Sequence, residues 1–417
     1  MRAVVVAGLL LAGGVAGATR LSLGPYVQDV RADGFLVAYE TDLPTDGKVV
    51  ADGQTVITRG THHEARLIGL KPGTRYRYRV LIDGEERAAA ELGTAPDAAR
   101  PFTFVVYGDT RNGNQLETEV AADVLAEAPE LALHTGDLVP TGDDDQSWPL
   151  FFAHEAALLK SVPVYLVVGN HELYRDPNGE HVRRYFAPPD GGRERRYYSF
   201  RWGAAVRMVV MDGNGQFDEQ TAWLTETLEA AQREHARHVF VFVHQPPLST
   251  GGHCGAAVLQ KDWVALFEHY QVRAVFAGHD HCYERLERNG IRYFVTGGGG
   301  AAVYEERQSC APYDVDARRV YSAEHHYLRV RVSGDDVEVA AVRIERGQPP
   351  IEVVHLRAGE GPPVVLLQPP PLVDDRLVKS SLGGHIIDTV GGRWPLAAGG
   401  LVLVVFLGRQ LRRRRLR

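Results

Sequence analysis

Several features that define common protein classes are missing from this sequence of 417 residues. It has only three cysteines and no internal repeat, and it contains no motif for a serine or cysteine nucleophile. Its formal net charge of -7 gives no overall attraction to nucleic acid or to anionic lipid. What remains is an ordinary globular balance, 44% hydrophobic and 24% charged, in a chain long enough for two or three domains.

The three cysteines allow at most one disulfide bond. Cys254 and Cys310 both lie in loop-like sequence, and we expect these two to pair if the protein is exported. Cys282 lies inside a histidine-containing motif, and we expect it to be a buried free thiol.

Both ends of the chain indicate export. Residues 1–18 contain one arginine, an apolar stretch and small residues at the end, which is typical of a secretory signal peptide. A buried first strand or a membrane anchor is the alternative. Residues 395–417 join an apolar segment to the tail RQLRRRRLR and resemble bacterial C-terminal sorting signals, although a plain membrane anchor fits them too. We therefore expect a protein in the cell envelope or outside the cell, with the C-terminal segment as its candidate membrane contact.

The sequence between these ends divides into three regions. Residues 19–96 alternate apolar and polar positions between turns, which predicts a small all-β sandwich domain. Residues 97–346 alternate valine-rich apolar runs with helix-period segments, which predicts an α/β domain with layered sheets flanked by helices. Residues 347–394 are rich in proline and glycine, and we expect a linker there that is part strand and part polyproline-like.

In the α/β region, almost every apolar run ends in a polar residue that can bind a metal. Since sites in open α/β sheets form outside the carboxyl ends of strands, five loops would deliver these side chains to one rim. Carboxylates, an amide oxygen and imidazoles suit zinc, manganese or iron, and the inventory fits two divalent ions that share one carboxylate. The candidate ligands are Asp109, Asp137, Asn170, His244, His279 and His281.

The ordered motifs GDTRNG, GDLVPTG, GNHE, VFVHQPP and GHDH resemble those of the calcineurin-like metallophosphoesterases. The phrases GPYVQDV, LIGLKPGTRYRYRV and ELGTAP resemble the fibronectin-type-III-like domain that precedes the catalytic domain of purple acid phosphatases. This resemblance covers residues 20–345. It implies a metallophosphoesterase β-sandwich flanked by helices, two bound divalent ions (iron, manganese or zinc) and phosphoester hydrolysis by a hydroxide that bridges them.

The resemblance also implies a ligand set for each ion. Asp137 would bridge the two ions, and Asp109 and His281 would bind the first. Taken singly, each aspartate has a plain alternative as a turn residue, and each GHDH histidine as a surface residue. The second ion would take three further ligands: Asn170, His244 and His279.

Two more histidines receive roles from the same resemblance. His171 follows the ligand Asn170 and matches the family's histidine that stabilises or protonates the leaving group. His253, in the loop STGGHC, matches a histidine on the substrate side.

The sequence departs from the family at two positions. Where many members have a histidine two residues after the first aspartate, this chain has Arg111. Where purple acid phosphatases have an iron-binding tyrosine, it has Pro140. Because arginine cannot be a ligand, we expect a ligand-poor first metal site. Because the tyrosine is missing, we expect no tyrosine-to-iron colour. Arg111 would contact the substrate phosphate, or else form a salt bridge with the carboxylates at 143–145.

The sequence therefore predicts a metal-dependent phosphoric ester hydrolase that acts on a small-molecule phosphomonoester or diester. The fold neighbour favours a monoester, and the missing tyrosine weakens that analogy. An envelope-attached metal-binding or interaction protein with a degenerate site is the alternative, which the missing first-site ligand and the anchoring tail would fit. The intact second-site ligands and His171 argue against it.

Overall fold

The structure, a computed structural model, describes residues 18–111, 115–307, 309–344 and 347–357. The predicted signal peptide up to residue 17, most of the predicted linker and the whole C-terminal segment 395–417 lie outside the described residues. Within the ranges that the structure describes, no helix has the length and apolar character needed to cross a membrane.

Residues 21–93 form an all-β region, as the alternating sequence predicts. In the strand Arg75–Ile82, Tyr76, Tyr78 and Val80 are buried while the arginines between them are exposed, which is the expected period of two. The second strand is 18 residues long and its register shifts between Glu40 and Thr45. Both of its halves pair with the third strand, but the first half also pairs with the first strand and the second half with the fourth. The strands are β1 (Leu21–Arg31), β2 (Gly34–Ala51), β3 (Gln54–Ile68), β4 (Arg75–Ile82) and β5 (Glu85–Gly93).

The strands of the α/β region form two further sheets. In chain order they are β6 (Phe102–Tyr107), β7 (Leu131–His134), β8 (Val164–Leu166), β9 (Tyr198–Trp202), β10 (Val206–Val210), β11 (His238–Val243), β12 (Ala274–Ala277), β13 (Tyr283–Arg288), β14 (Ile291–Thr296), β15 (Arg318–Ser322), β16 (His326–Ser333), β17 (Asp336–Arg343) and β18 (Glu352–Arg357). One sheet has the order β18-β17-β16-β6-β7-β8, and the other has the order β15-β13-β14-β12-β11-β10-β9.

The two sheets pack face to face through aromatic side chains. The ring of Phe104 on β6 lies 5.4 Å from that of Phe240 on β11 and 6.3 Å from that of Phe276 on β12. The central strands β6–β8 and β10–β12 pair in parallel and are covered on both faces, which explains their continuous apolar runs.

Helices cover the outer faces of both sheets. The first three pack on the sheet that contains β6, and α6 to α8 pack on the sheet that contains β11. The resulting order of helix, sheet, sheet and helix confirms the predicted fold class. The helices are α1 (Gln115–Ala126), α2 (Ser147–His154), α3 (Ala156–Leu159), α4 (Asn170–Leu173), α5 (Glu180–Tyr185), α6 (Phe217–Arg233), α7 (Ala257–Leu259), α8 (Ala265–His269) and α9 (Pro312–Ala317).

The sheet extends beyond the boundary that the sequence predicts at residue 346. β18 lies within the predicted linker 347–394, yet it pairs with β17 from Ala341 opposite Glu352 to Asp336 opposite Arg357. The prolines at 349 and 350 precede this strand, so the residues inside it keep the backbone N–H groups that pairing needs.

Cys254 and Cys310 form the expected disulfide bond, with Cα atoms 5.4 Å apart, and Cys282 is the buried free thiol.

The bond joins residues 56 positions apart. Replacing both cysteines by serine should lower the free energy of unfolding by about 4 kcal/mol, because the unfolded chain regains the entropy of that loop. Denaturant titration measures the change. Reduced wild-type protein is the control, and equal stability of its reduced and oxidised forms would contradict the prediction.

Candidate metal centre

Five loops that follow strands meet at one place on the molecule. Oxygen atoms of Asp109 and Asp137 and a ring nitrogen of His244 all lie within 4.8 Å of one another, and all three residues are buried. The loops follow β6, β7, β8, β11 and β12, and they carry Asp109, Asp137, Asn170, His244 and the pair His279 and His281.

Glycines allow these loops to come so close together. A Cβ atom on Gly169 would lie 2.3 Å from Oδ1 of Asp137, and one on Gly278 would lie 2.5 Å from Oδ2 of Asp109. Any larger residue would therefore displace a candidate ligand. Asp109, Asp137 and His279 themselves have φ angles of 58°, 60° and 69°. Non-glycine residues in this region are strained, and such strain concentrates at functional sites.

Around His244, acceptor atoms face one another without a proton between them. Nδ1 of His244 donates to the carbonyl oxygen of Thr135 at 2.7 Å, so the neutral ring carries its lone pair on Nε2. Burial lowers the pKa of His244, which keeps the ring neutral. Nε2 lies 3.0 Å from Oδ1 of Asn170 and 3.2 Å from Oδ1 of Asp137. A cation is the group that stabilises three such atoms, and this mixture of donors fits zinc, manganese or iron.

His279 lies beside this group. The centroid of its ring is 5.1 Å from that of His244 and 4.2 Å from that of His253. Burial and the neighbouring histidines lower its pKa, so His279 is also a neutral imidazole. We call the set Asp137, Asn170, His244 and His279 the amide–imidazole position.

On the other side of Asp137 lies the arginine of the first motif. Nη1 of Arg111 donates to Oδ2 of Asp137 at 2.8 Å, and Nη2 donates to Nε2 of His281 at 3.2 Å. Nδ1 of His281 donates to the carbonyl oxygen of Ala302 at 2.9 Å, so its Nε2 is the acceptor. The same Nε2 lies 3.6 Å from Oδ1 of Asp109. We call the set Asp109, Asp137 and His281 the guanidinium position.

Arg111 forms a salt bridge, but not with the carboxylates at 143–145 that the sequence suggested. Asp143 pairs with Arg175 at 3.1 Å, and Asp145 pairs with His181 at 2.9 Å. The backbone N–H of Arg111 donates to the carbonyl oxygen of Asp137 at 3.0 Å, and this bond aligns the arginine with Asp137.

The pKa values of the two aspartates shift in opposite directions because their neighbours differ. Burial alone would raise the pKa of Asp137, but His244, His171 and Arg111 outweigh it and lower that pKa to about 2. Burial and the negative charge of Asp137 raise the pKa of Asp109. Asp137 is thus the fixed negative charge at the middle of the site, and positive charge beside Asp109 favours its ionised form.

His171 is held with one ring nitrogen towards the site. Its backbone N–H donates to Oδ1 of Asp137 at 3.1 Å, and its Nδ1 donates to the carbonyl oxygen of Pro140 at 2.6 Å. Nε2 then lies 3.7 Å from Oδ2 of Asp137, and the side chain is 29% exposed. The ring is therefore partly open to solvent while Nε2 lies beside Asp137.

His253 lies at the edge of the amide–imidazole position. Its backbone N–H and its Nδ1 both donate to Oδ1 of Asp280, at 2.8 and 2.9 Å. Its side chain is 43% exposed and its ring lies against that of His279. The disulfide at Cys254 fixes the adjacent backbone.

Sequence reasoning missed two buried carboxylates that position these groups. Glu172 accepts the backbone N–H groups of Asp137, Leu138 and Gly169 at 2.7 to 2.9 Å, so it ties the loop of Asp137 to that of Asn170. Asp280 holds His253 in the same way. Both lie inside the motifs GNHE and GHDH, and a charged residue within such a buried stretch was the available signal.

The protein has two facing sheets between layers of helices, and carboxylates, an amide and imidazoles follow the strands. These features are those of a metallophosphoesterase-type α/β protein. Residues 97–283 match the family model described as calcineurin-like phosphoesterase. Over these residues the chain is similar to that family, and the proteins that it resembles include purple acid phosphatases.

Three proteins illustrate what the chain is similar to. An uncharacterized protein of Mycobacterium tuberculosis is 28% identical over 266 residues, which are 54% of this chain and 50% of that protein. Purple acid phosphatase 23 of Arabidopsis thaliana is 27% identical over 299 residues, which are 60% of this chain and 65% of that protein. The chain thus spans less than two thirds of each relative. The structure of a purple acid phosphatase from yellow lupin superposes with a TM-score of 0.68 at 17% identity, covering 80% of this chain and 74% of that one.

Proposed function

We propose that this protein hydrolyses phosphoesters with the help of a divalent metal ion held at the amide–imidazole position. The observation that carries this proposal is that three unprotonated atoms converge. Oδ1 of Asn170 lies 3.0 Å from Nε2 of His244, and Oδ1 of Asp137 lies 3.2 Å from the same nitrogen. An ion such as zinc, manganese or iron would supply Lewis-acid charge and lower the pKa of a water there.

The residues around this position have separate tasks in the proposed reaction. Asp137, Asn170, His244 and His279 would hold the ion, and Glu172 keeps the first two loops in register. His171 would give a proton from Nε2 to the leaving oxygen, because its Nδ1 is committed to the carbonyl oxygen of Pro140.

The guanidinium position fits a metal ion less well than the amide–imidazole position does. The sequence predicts a first ion at Asp109, Asp137 and His281, but Arg111 already donates to two of these three side chains. The dinuclear centre therefore stays a prediction, and the proposed hydrolysis does not depend on it.

We propose a phosphomonoester as the substrate. A monoester dianion carries two negative charges on its free oxygens. Arg111 and His171 lie beside Asp137, and His253 lies beside the ring of His279. Each of the three has a group that can donate a hydrogen bond to such oxygens. A diester has one charge fewer and a second substituent that competes for the same space.

The proposal is tested by comparing nitrophenyl phosphate with bis-nitrophenyl phosphate in the presence of manganese, zinc or iron. We expect the monoester to give a kcat/KM about tenfold higher or more, and we expect chelation of the metal to remove turnover reversibly. Preference for the diester would overturn the substrate class. Absence of metal-dependent turnover with both substrates would overturn the hydrolase and favour the metal-binding or interaction protein.

We also propose that the protein acts outside the cytoplasm. The disulfide between Cys254 and Cys310 supports this, because such bonds persist in oxidising compartments. N-terminal sequencing of the mature protein tests it, and a chain that begins at residue 19 is the expected result for cleavage after Ala18. A mature chain that retains residues 1–18 would contradict the predicted signal peptide.

A further inference from the structure

We infer that Arg111 stands in the first of the two metal positions as a permanent cation, so that this protein binds one divalent ion instead of two. The inference rests on the proposed metal centre and specifies its composition. It concerns the guanidinium position, whose three side chains are Asp109, Asp137 and His281.

The lone pairs of the candidate ligands have different partners at the two positions. At the guanidinium position, Nε2 of His281 accepts from Nη2 of Arg111, and Oδ2 of Asp137 accepts from Nη1. Two of the three side chains that would bind an ion there therefore already accept hydrogen bonds from Arg111. At the amide–imidazole position, Nε2 of His244 faces the oxygens of Asn170 and Asp137 with no donor among these three atoms. No side-chain cation bonds His244 or Asn170 in the described contacts, and an added cation would stabilise this arrangement.

Arg111 is held firmly at the guanidinium position. Its backbone N–H bonds the carbonyl oxygen of Asp137 while its guanidinium bonds the carboxylate of the same residue, so Arg111 is fixed to Asp137 at both ends. The side chain is only 18% exposed, and its partner carboxylate is 2% exposed. A divalent ion at this position would have to displace the guanidinium from a buried salt bridge, which is costly because a buried charge would lose its partner.

Charge and geometry also suit a guanidinium here. Oxygen atoms of the buried carboxylates Asp109 and Asp137 lie within 4.8 Å of each other, and a positive charge beside them offsets their mutual repulsion whether a metal or a guanidinium supplies it. The contacts described use two of the five N–H donors of Arg111. The planar group therefore retains donors for a phosphoryl oxygen, and it provides the charge that a first ion would otherwise supply.

The test is the metal content of the full-length protein after loading with manganese and removal of free metal. We expect about one ion per chain in the wild type, measured by inductively coupled plasma mass spectrometry. We also expect an electron paramagnetic resonance spectrum of Mn(II) without exchange coupling between ions. In Arg111→His, an imidazole replaces the guanidinium. We expect about two ions in that variant, together with the spectrum of a coupled pair.

Arg196→Gln is the matched control. Arg196 is also mostly buried and pairs with a buried aspartate, Asp212, at 2.5 Å, but it lies outside the ligand set. Its metal content should equal that of the wild type. Two ions in the wild-type protein would overturn the inference directly, and a folded Arg111→His variant that still holds one ion would also overturn it. Circular dichroism establishes that the variants fold.

Metal content and turnover separate this inference from the proposed function. One ion without any phosphoesterase turnover would overturn the proposed hydrolysis and support the assignment of Arg111. Two ions with metal-dependent turnover would overturn the assignment of Arg111 and support the proposed hydrolysis.

Discussion

Replacing Asp137 by asparagine should lower kcat/KM for phosphoester hydrolysis by about 10³-fold or more. The asparagine has nearly the same shape, but it removes the negative charge that lies between the two positions of the site. Three groups lose their anionic partner at once: His244 at 3.2 Å, Arg111 at 2.8 Å and His171 at 3.7 Å. Metal affinity should fall as well, because the amide is a weaker ligand than the carboxylate.

The control for this substitution is Asp29→Asn. Asp29 is 1% exposed and pairs with two arginines, Arg31 at 2.9 Å and Arg66 through Nη1 at 2.6 Å, but it lies in the N-terminal sheet. Steady-state kinetics and metal content of both variants are the measurements. The assignment of Asp137 would be wrong if its variant kept activity and metal within a few fold of the control.

Replacing His171 by asparagine should have an effect that depends on the leaving group. For an alkyl phosphate, whose leaving alkoxide is strongly basic, we expect kcat to fall by about 10²- to 10⁴-fold, the usual contribution of a positioned acid. For nitrophenyl phosphate, whose leaving group is a stable anion, the loss should be much smaller. The structural reason is that Nε2 of His171 faces the site while Nδ1 is bound to Pro140.

The measurement is kcat across a series of phosphomonoesters with leaving groups of increasing basicity. His154→Asn is the matched control, because His154 also has one described ring bond, from Nδ1 to the hydroxyl of Thr118 at 2.7 Å, and it lies on α2 away from the candidate site. A loss that is the same for every leaving group would assign His171 to positioning or metal binding and not to proton transfer.

The α/β fold and the meeting of the candidate ligands could be anticipated because the signals are local. The apolar runs that form β6, β7, β8, β11 and β12 lead within a few residues to glycine and a polar residue or to histidine, and parallel strands present their carboxyl ends on one edge. The linker boundary was less predictable, since β18 depends on pairing with β17 and its own composition resembles a linker.

The sequence by itself determined the order of the strands and their motifs, the identity of the side chains at the strand ends, and the cysteines that lie in loops. The tertiary structure decided what those side chains touch. Arg111 could have met the carboxylates at 143–145, but it bonds Asp137, 26 residues away, and His281, 170 residues away. Glu172 likewise bonds backbone groups 34 and 35 residues away. Partners at such separations are set by how the sheets and loops pack, and no local pattern of residues encodes that packing.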